Sequence, residues 1–181
     1  MRYATIVADP PWAYSDRRGP ANPDPKTYGR INASASSHNR YGSMTMKELI
    51  ALPVIKWSKQ NAHLYLWTTN SFLKEAHELA RSWGFVPKTV LTWGKVKTDG
   101  TASMKMGHYY RGATEHVLFC VRGKLKLKGQ CRPTLYLSER LGHSVKPEWF
   151  YALVKEQSPG PRLEMFARQQ RKGWNRWGNQ A

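Results

Sequence analysis

The sequence predicts an α/β fold, a layered sheet with helices on its faces, and three observations carry that expectation. Short runs of β-branched and aromatic residues recur along the chain, stretches with helical apolar spacing separate them, and no internal repeat or low-complexity tract breaks the alternation. At 181 residues the chain can build one sizeable core but not two, since a domain takes roughly 100–200 residues. The whole of 1–181 is therefore read as a single domain. A Rossmann-like sheet fits this order best, and its ligands should gather at the carboxyl ends of the strands.

The first strand is the run Tyr3 to Ala8, stopped by two prolines. Pro11 to Tyr41 is crowded with Gly, Pro, Ser, Asn and charge, which predicts a long surface loop or pair of loops of the kind that usually binds something. Thr45 with Glu48 three residues on makes a capping box, and Leu49 and Leu52 supply the inner face of a short helix that Pro53 stops. His63 to Thr68 reads as a strand. Ser71 then caps a crossover helix that carries Leu73, Ala76, Leu79, Ala80 and Trp83 at helical spacing and ends at Gly84. Further strands are expected from about Thr89 to Val96 and from about Glu115 to Val121, followed by a hairpin-like basic stretch. Pro147 opens a helix with Trp149, Phe150, Leu153 and Val154, and Leu163 to Ala167 is the final strand. In this layout Asp9 and Arg168 both fall at carboxyl ends of strands.

Charge narrows the function. A formal net charge of +17 and a pI of about 10.1 favour a polyanionic partner, with nucleic acid first. No stretch combines a Lys/Arg face with a broad apolar one, so a membrane surface is not expected. Cys120 and Cys131 are too few and too far apart for a zinc site or a disulfide framework, and read as reduced thiols; no metal is expected. The apolar run at the N-terminus is too short for a signal peptide, and the cytoplasm is the expected compartment.

Asp9-Pro10-Pro11-Trp12, directly after the first strand, is the most informative stretch. An amine conjugated to an aromatic ring is a poor nucleophile because its lone pair is delocalised. Hydrogen-bond acceptors aimed at both of its N–H bonds return electron density to nitrogen. Asp9 can offer its carboxylate and Pro10 its carbonyl, while the two prolines fix φ and offer no competing N–H. Trp12 can stack on a base.

These residues, in order with several others, resemble the DPPW-type N6-adenine methyltransferases, also called the MTA-seventy family. The resemblance covers nearly the whole chain. It runs through Arg40-Tyr41-Gly42-Ser43-Met44, Leu66-Trp67-Thr68-Thr69, Trp83-Gly84-Phe85, Trp93-Gly94-Lys95 and Glu115-His116, then His143 to Pro147, Leu163 to Arg168, and Gly178-Asn179-Gln180. It implies an S-adenosylmethionine-dependent fold with a permuted motif order, the catalytic motif first and the cofactor strand near the end. It further implies that Asp9 to Trp12 are catalytic and that Tyr41 lines the adenine pocket. Asp9 would also face the cofactor's amino group, Lys146 would pair with its carboxylate, Phe166 and Arg168 would flank its adenosine end, and Asn179 and Gln180 would hold the adenosine. Eukaryotic members usually carry Gly where Ala167 stands and a His-Asn pair near Gln170 and Arg171, so no ribose contact is assigned to those two.

Two basic tracts are candidates for nucleic-acid contact. Arg122 to Gly129 alternates basic and apolar residues, which would set Lys124, Lys126 and Lys128 on one strand face with the leucines inward, either to bind phosphates or to protect a sheet edge from aggregation. Arg168, Arg171, Lys172 and Arg176, interleaved with Trp174 and Trp177, resemble a surface for phosphates and bases, the alternative being that the two tryptophans are core. The expected reaction is methyl transfer to adenine N6 in DNA, with RNA as the alternative polymer and a non-catalytic nucleic-acid-binding subunit as the rival. A homodimer or a second subunit is the expected protein partner.

Overall fold

The run Tyr3–Ala8 forms β1, with every residue after Tyr3 buried; a strand covered on both faces needs no alternation of apolar and polar residues. The computed structural model describes residues 1–13, 43–104, 109–140, 142 and 145–178. In it β1 is joined by β2 (Ser58–Thr68), β3 (Val86–Val96), β4 (Thr114–Arg122), β5 (Leu135–Glu139), β6 (Arg162–Met165) and β7 (Asn175–Trp177). They form one mixed sheet in the order β5-β3-β4-β2-β1-β6-β7. β4 runs against β2 and β3, and the other pairs are parallel. The carboxyl ends of β1, β2, β3 and β6 therefore share one edge with the start of β4.

Side-chain alternation divides the core into two layers. Ile6, Ala8, Leu64, Leu66, Leu118 and Met165 face α1 (Met46–Ala51), α2 (Val54–Trp57) and α3 (Leu73–Ser82). Val7, Tyr65, Trp67, Val117 and Phe119 face α4 (Glu148–Gln157), where they meet Phe150, Tyr151 and Val154. Asp9 shares the parity of Val7 and so emerges on the α4 side.

The capping box forms as expected, with Thr45 N–H donating to Glu48 at 2.7 Å. Other boundaries shift. Ser71 lies inside a 3-10 turn, Asn70–Phe72, and α3 starts without a side-chain cap. Pro147 precedes α4 rather than opening it, its ψ of 145° being extended. β2 begins at Ser58, ahead of the expected His63, a start that the sequence does not mark because the exposed Lys59, Gln60 and Asn61 carry no apolar signal. β5 and β7 were not expected. Edge strands this short, one of them polar, leave little pattern to read.

The basic tract after β4 is a correction. It is not a strand with inward leucines: β4 ends at Arg122, Gly123 turns at φ 68°, and Leu127 is exposed. A Cβ on Gly123 would lie 2.6 Å from the Gln60 carbonyl, so the chain turns tightly over β2. Asn61 Oδ1 then accepts from Lys124 N–H, and the Lys128 N–H donates to the Gln157 carbonyl. Lys124, Lys126 and Lys128 consequently sit at the end of the sheet opposite Asp9. No helix among the described residues is long and apolar enough to cross a membrane.

Candidate active site

β1 delivers Asp9 between β2 and β6, since Ala8 pairs with both Leu66 and Met165. Beside it opens a cavity of about 220 Å³, with Asp9, Trp67, Lys146, Glu164, Phe166 and Arg168 in its wall. The residues gather because strand ends and the start of α4 converge at this edge.

One end of the cavity is a chain of alternating charges. Lys146 Nζ lies 3.0 Å from Asp9 Oδ2 and 3.0 Å from Glu115 Oε2, and 4.6 Å from the centre of the Trp67 ring. The other oxygen of Glu115 pairs with Lys95, whose ammonium sits 4.8 Å over the Trp93 ring. Burial alone would raise the Glu115 pKa, but the ammonium groups of Lys146 and Lys95 outweigh it and hold the carboxyl down at about 2. Burial would likewise depress Lys146, and the carboxylates of Asp9 and Glu115 instead hold it above its ordinary value. Glu115 and Lys146 are thus both held in their charged forms, each compensated by a neighbour.

The other end is built on Glu164. Tyr151 donates to its Oε1 at 2.6 Å, and Arg171 Nε lies 3.8 Å from its Oε2. Burial raises the Glu164 pKa, with the Tyr151 hydrogen bond and the Arg171 charge opposing it. Arg171 is stacked 3.5 Å from the centre of the Tyr151 ring and donates to both Glu148 oxygens at 2.7 and 3.0 Å. Just past β6, Phe166 takes φ 61°, a conformation that L side chains rarely adopt, and its N–H donates to the Trp177 carbonyl at 2.6 Å. Strain of this kind persists only where the surroundings over-determine it. Here Gly178 presses on the Phe166 backbone so closely that an added Cβ would lie 3.0 Å from its Cα.

Of the expected site residues, the structure brings together Asp9, Lys146, Phe166 and Arg168. Pro10 is buried and its carbonyl already accepts the Trp12 N–H at 2.9 Å, which leaves one lone pair for a ligand; the Pro11 carbonyl accepts from Met44 N–H at 2.9 Å. Trp12 is a correction. Its indole is buried, stacks on Phe72 with ring centres 5.3 Å apart, and donates to the Trp67 carbonyl, so it braces the loop from within the core. Arg171 is a second correction, being a wall of the cavity tied to Glu148 and Glu164 rather than part of a basic surface. Lys172 and Arg176 are exposed, whereas Trp174 is core. Tyr41, Asn179 and Gln180 lie outside the described residues.

Sequence reasoning gave no role to Glu115, Lys95, Glu164, Trp67 or Tyr151. A usable signal existed for two of them: Lys95 and Glu115 occupy the inward positions of apolar strands, where a charge requires a partner.

Several known proteins are similar in sequence to this chain. The Type II methyltransferase M.MunI from Mycoplasma sp is 29% identical over 98% of this chain and 77% of its own length. The N(6)-adenosine-methyltransferase catalytic subunit METTL3 of Homo sapiens is 25% identical over 99% of this chain and 28% of its own. The N(6)-adenine-specific methyltransferase METTL4 of Homo sapiens is 27% identical, over 98% and 37% respectively. The chain therefore spans most of the first protein and well under half of the other two. The MT-A70 family profile matches residues 3–180, which run from the strand that delivers Asp9 to the end of the Phe166–Gly178 contact and beyond, and the chain belongs to the MT-A70 family.

Proposed function

We propose that this chain transfers a methyl group from S-adenosylmethionine to the exocyclic N6 of adenine in DNA, the whole chain acting as one catalytic domain. The observation that carries the reading is the Asp9–Lys146 pair at 3.0 Å in the cavity wall, at the carboxyl end of a central strand.

The cavity's donor set suits such a cofactor. An ammonium on Lys146 answers a carboxylate, the Asp9 carboxylate answers an amino group, the Glu164 carboxylate answers sugar hydroxyls, and Phe166 with Arg168 offers an aromatic face and a cation to a heterocycle. Among the described residues Trp67 Nε1 is a buried donor with no hydrogen-bond partner, a further polar group on this wall for a ligand to satisfy. Bound there, S-adenosylmethionine supplies an electrophilic methyl group. Tyr41 on the adenine, and Asn179 and Gln180 on the cofactor, complete the reading.

Asp9 does two jobs. Oδ2 is held by Lys146, and Oδ1 accepts from one N–H of the target amine while the Pro10 carbonyl accepts from the other. Together they localise the lone pair on nitrogen as the methyl group arrives. The proton leaves the methylated, positively charged amine readily, so no strong base is required. Because the amine is recessed in a duplex, the adenine must leave the stack or belong to a single strand. DNA is preferred because M.MunI, a type II methyltransferase, is matched over 77% of its length, whereas METTL3, named for adenosine, is matched over 28%. A second copy or a second subunit has an available edge at β5, where Leu135 and Leu137 are exposed.

The test is methyl transfer from labelled S-adenosylmethionine to duplex DNA, single-stranded DNA and RNA at low salt, with the product nucleoside identified by mass spectrometry. N6-methyladenine in DNA, lost in Asp9→Ala, is the expected result. Product confined to RNA would reverse the choice of polymer, and absence of both product and cofactor binding would overturn the reading.

A further inference from the structure

Tyr109 and Tyr110 are 96% and 92% exposed, and no other aromatic side chain among the described residues stands out of the protein to this extent. They precede β4 on the return path of the β3–β4 connection. That connection is anchored at its base: Ser103 N–H donates to the Lys95 carbonyl at 2.7 Å, and Lys95 N–H donates to the Ala113 carbonyl at 2.8 Å. Tyr110 lies three residues before that anchored carbonyl, a reach of at most about 11 Å. Two residues after the carbonyl comes Glu115, in contact with Lys146 and through it with Asp9. The two rings therefore rise from the same edge of the sheet as the site, whereas Lys124, Lys126 and Lys128 lie at the far end.

We propose that Tyr109 and Tyr110 form a stacking platform for an unpaired base flanking the target adenine, so that the nucleic acid engaged is single-stranded or locally opened. The inference rests on the methyl-transfer reading and adds the form of the substrate to it. Every nucleobase presents a π face, and an exposed phenol ring offers a matching face with its hydroxyl left in water. The occupant follows from charge and place: the chain carries a net +17, which attracts a polyanion, and the rings rise from the edge of the sheet that holds the site where that polyanion must present its adenine.

Fluorescence anisotropy of a labelled mixed-sequence single strand, measured on the full chain at several salt concentrations, tests the platform. Tyr109→Ala/Tyr110→Ala is expected to weaken binding about ten-fold or more. The slope of log affinity against log salt should stay unchanged, because the cations that neutralise phosphates are all retained. Tyr109→Phe/Tyr110→Phe should bind as the wild type does, and both variants should keep wild-type affinity for S-adenosylmethionine in calorimetry. Unchanged strand affinity in the alanine variant, in a protein whose wild type methylates adenine, would overturn the platform and leave the methyl-transfer reading standing. A weakening shared equally by the phenylalanine variant would assign the effect to the hydroxyls and overturn stacking. A wild type that neither binds nor methylates any strand would overturn both.

Discussion

Lys146 and Asp9, far apart along the chain, meet at 3.0 Å in the wall of the cavity. Asp9 is fixed by the end of a central strand, and Lys146 by its place just before Pro147 and α4. The second carboxylate on Lys146, from Glu115, holds the ammonium in place independently of Asp9, so the charge is positioned before any ligand arrives. Lys146→Met is accordingly expected to weaken S-adenosylmethionine binding about a hundred-fold, as read by calorimetry, since a desolvated charge partner is removed. Asp9→Asn is expected to act mainly on turnover, lowering kcat about a hundred-fold or more. Near-normal cofactor affinity in Lys146→Met would remove the lysine from the cofactor site.

Glu115 sets an acid limit on stability. Its carboxyl is held at about 2 against an ordinary 4.5, so the folded state favours the ionised form. The stability this contributes is complete above pH 4.5 and is lost as the pH falls towards 2. Wild-type Tm should fall through that window, and Glu115→Gln should show a flatter profile there. At pH 7 the same variant leaves Lys95 and Lys146 facing each other without their shared carboxylate. It is expected to lose about 3–5 kcal/mol in urea denaturation. Equal stability at pH 7 would mean that Asp9 and water, not Glu115, compensate the two ammonium groups.

Gly178 is expected to tolerate no side chain. Its φ is 138°, and a Cβ would meet Phe166 Cα at 3.0 Å and Phe166 N at 3.3 Å, both backbone atoms that cannot swing aside. Gly178→Ala should cost roughly 1–3 kcal/mol in Tm-derived stability and, by shifting Phe166, should also weaken cofactor binding. Asn175→Ala, in the strand that leads to Gly178 but pointing at Tyr3, is the control that should leave cofactor binding intact.

Much of this was legible in the sequence, and the reason differs by residue. β1 and the Thr45–Glu48 capping box are local: a run of buried residues and a reciprocal hydrogen bond require only neighbours in the chain. Asp9 was legible because two prolines and a tryptophan after a strand are unusual together. Glu115 and Lys95 became partners only through the register that pairs β3 with β4, a long-range fact that no spacing along the chain encodes. Trp12 misled for a related cause. A tryptophan beside a candidate catalytic carboxylate suggests a stacking face, but Phe72, from the turn after β2, already occupies that face. The lysines of 124–128 misled because alternation implies a strand only where the backbone continues extended, and Gly123 turns it.

That turn has a measurable consequence for nucleic acid. β4 covers Thr114 to Arg122, about 26 Å at strand rise, and separates the lysine tract from the edge that holds Asp9. At 3.4 Å per base pair this equals about eight base pairs. Lys124→Ala/Lys126→Ala/Lys128→Ala should therefore leave binding and methylation unchanged on a hairpin with about six base pairs on either side of its adenine. On a duplex extending twenty base pairs to each side, phosphates can reach the tract, and the triple variant should bind more weakly. Its log affinity should also depend less steeply on log salt, by roughly 0.9 for each phosphate no longer neutralised. Equal weakening on the short hairpin would mean that the tract acts on the fold or on the site itself. Unchanged binding on both would reduce the three lysines to solvated surface, leaving polymer binding to the edge where Tyr109, Tyr110 and Asp9 lie.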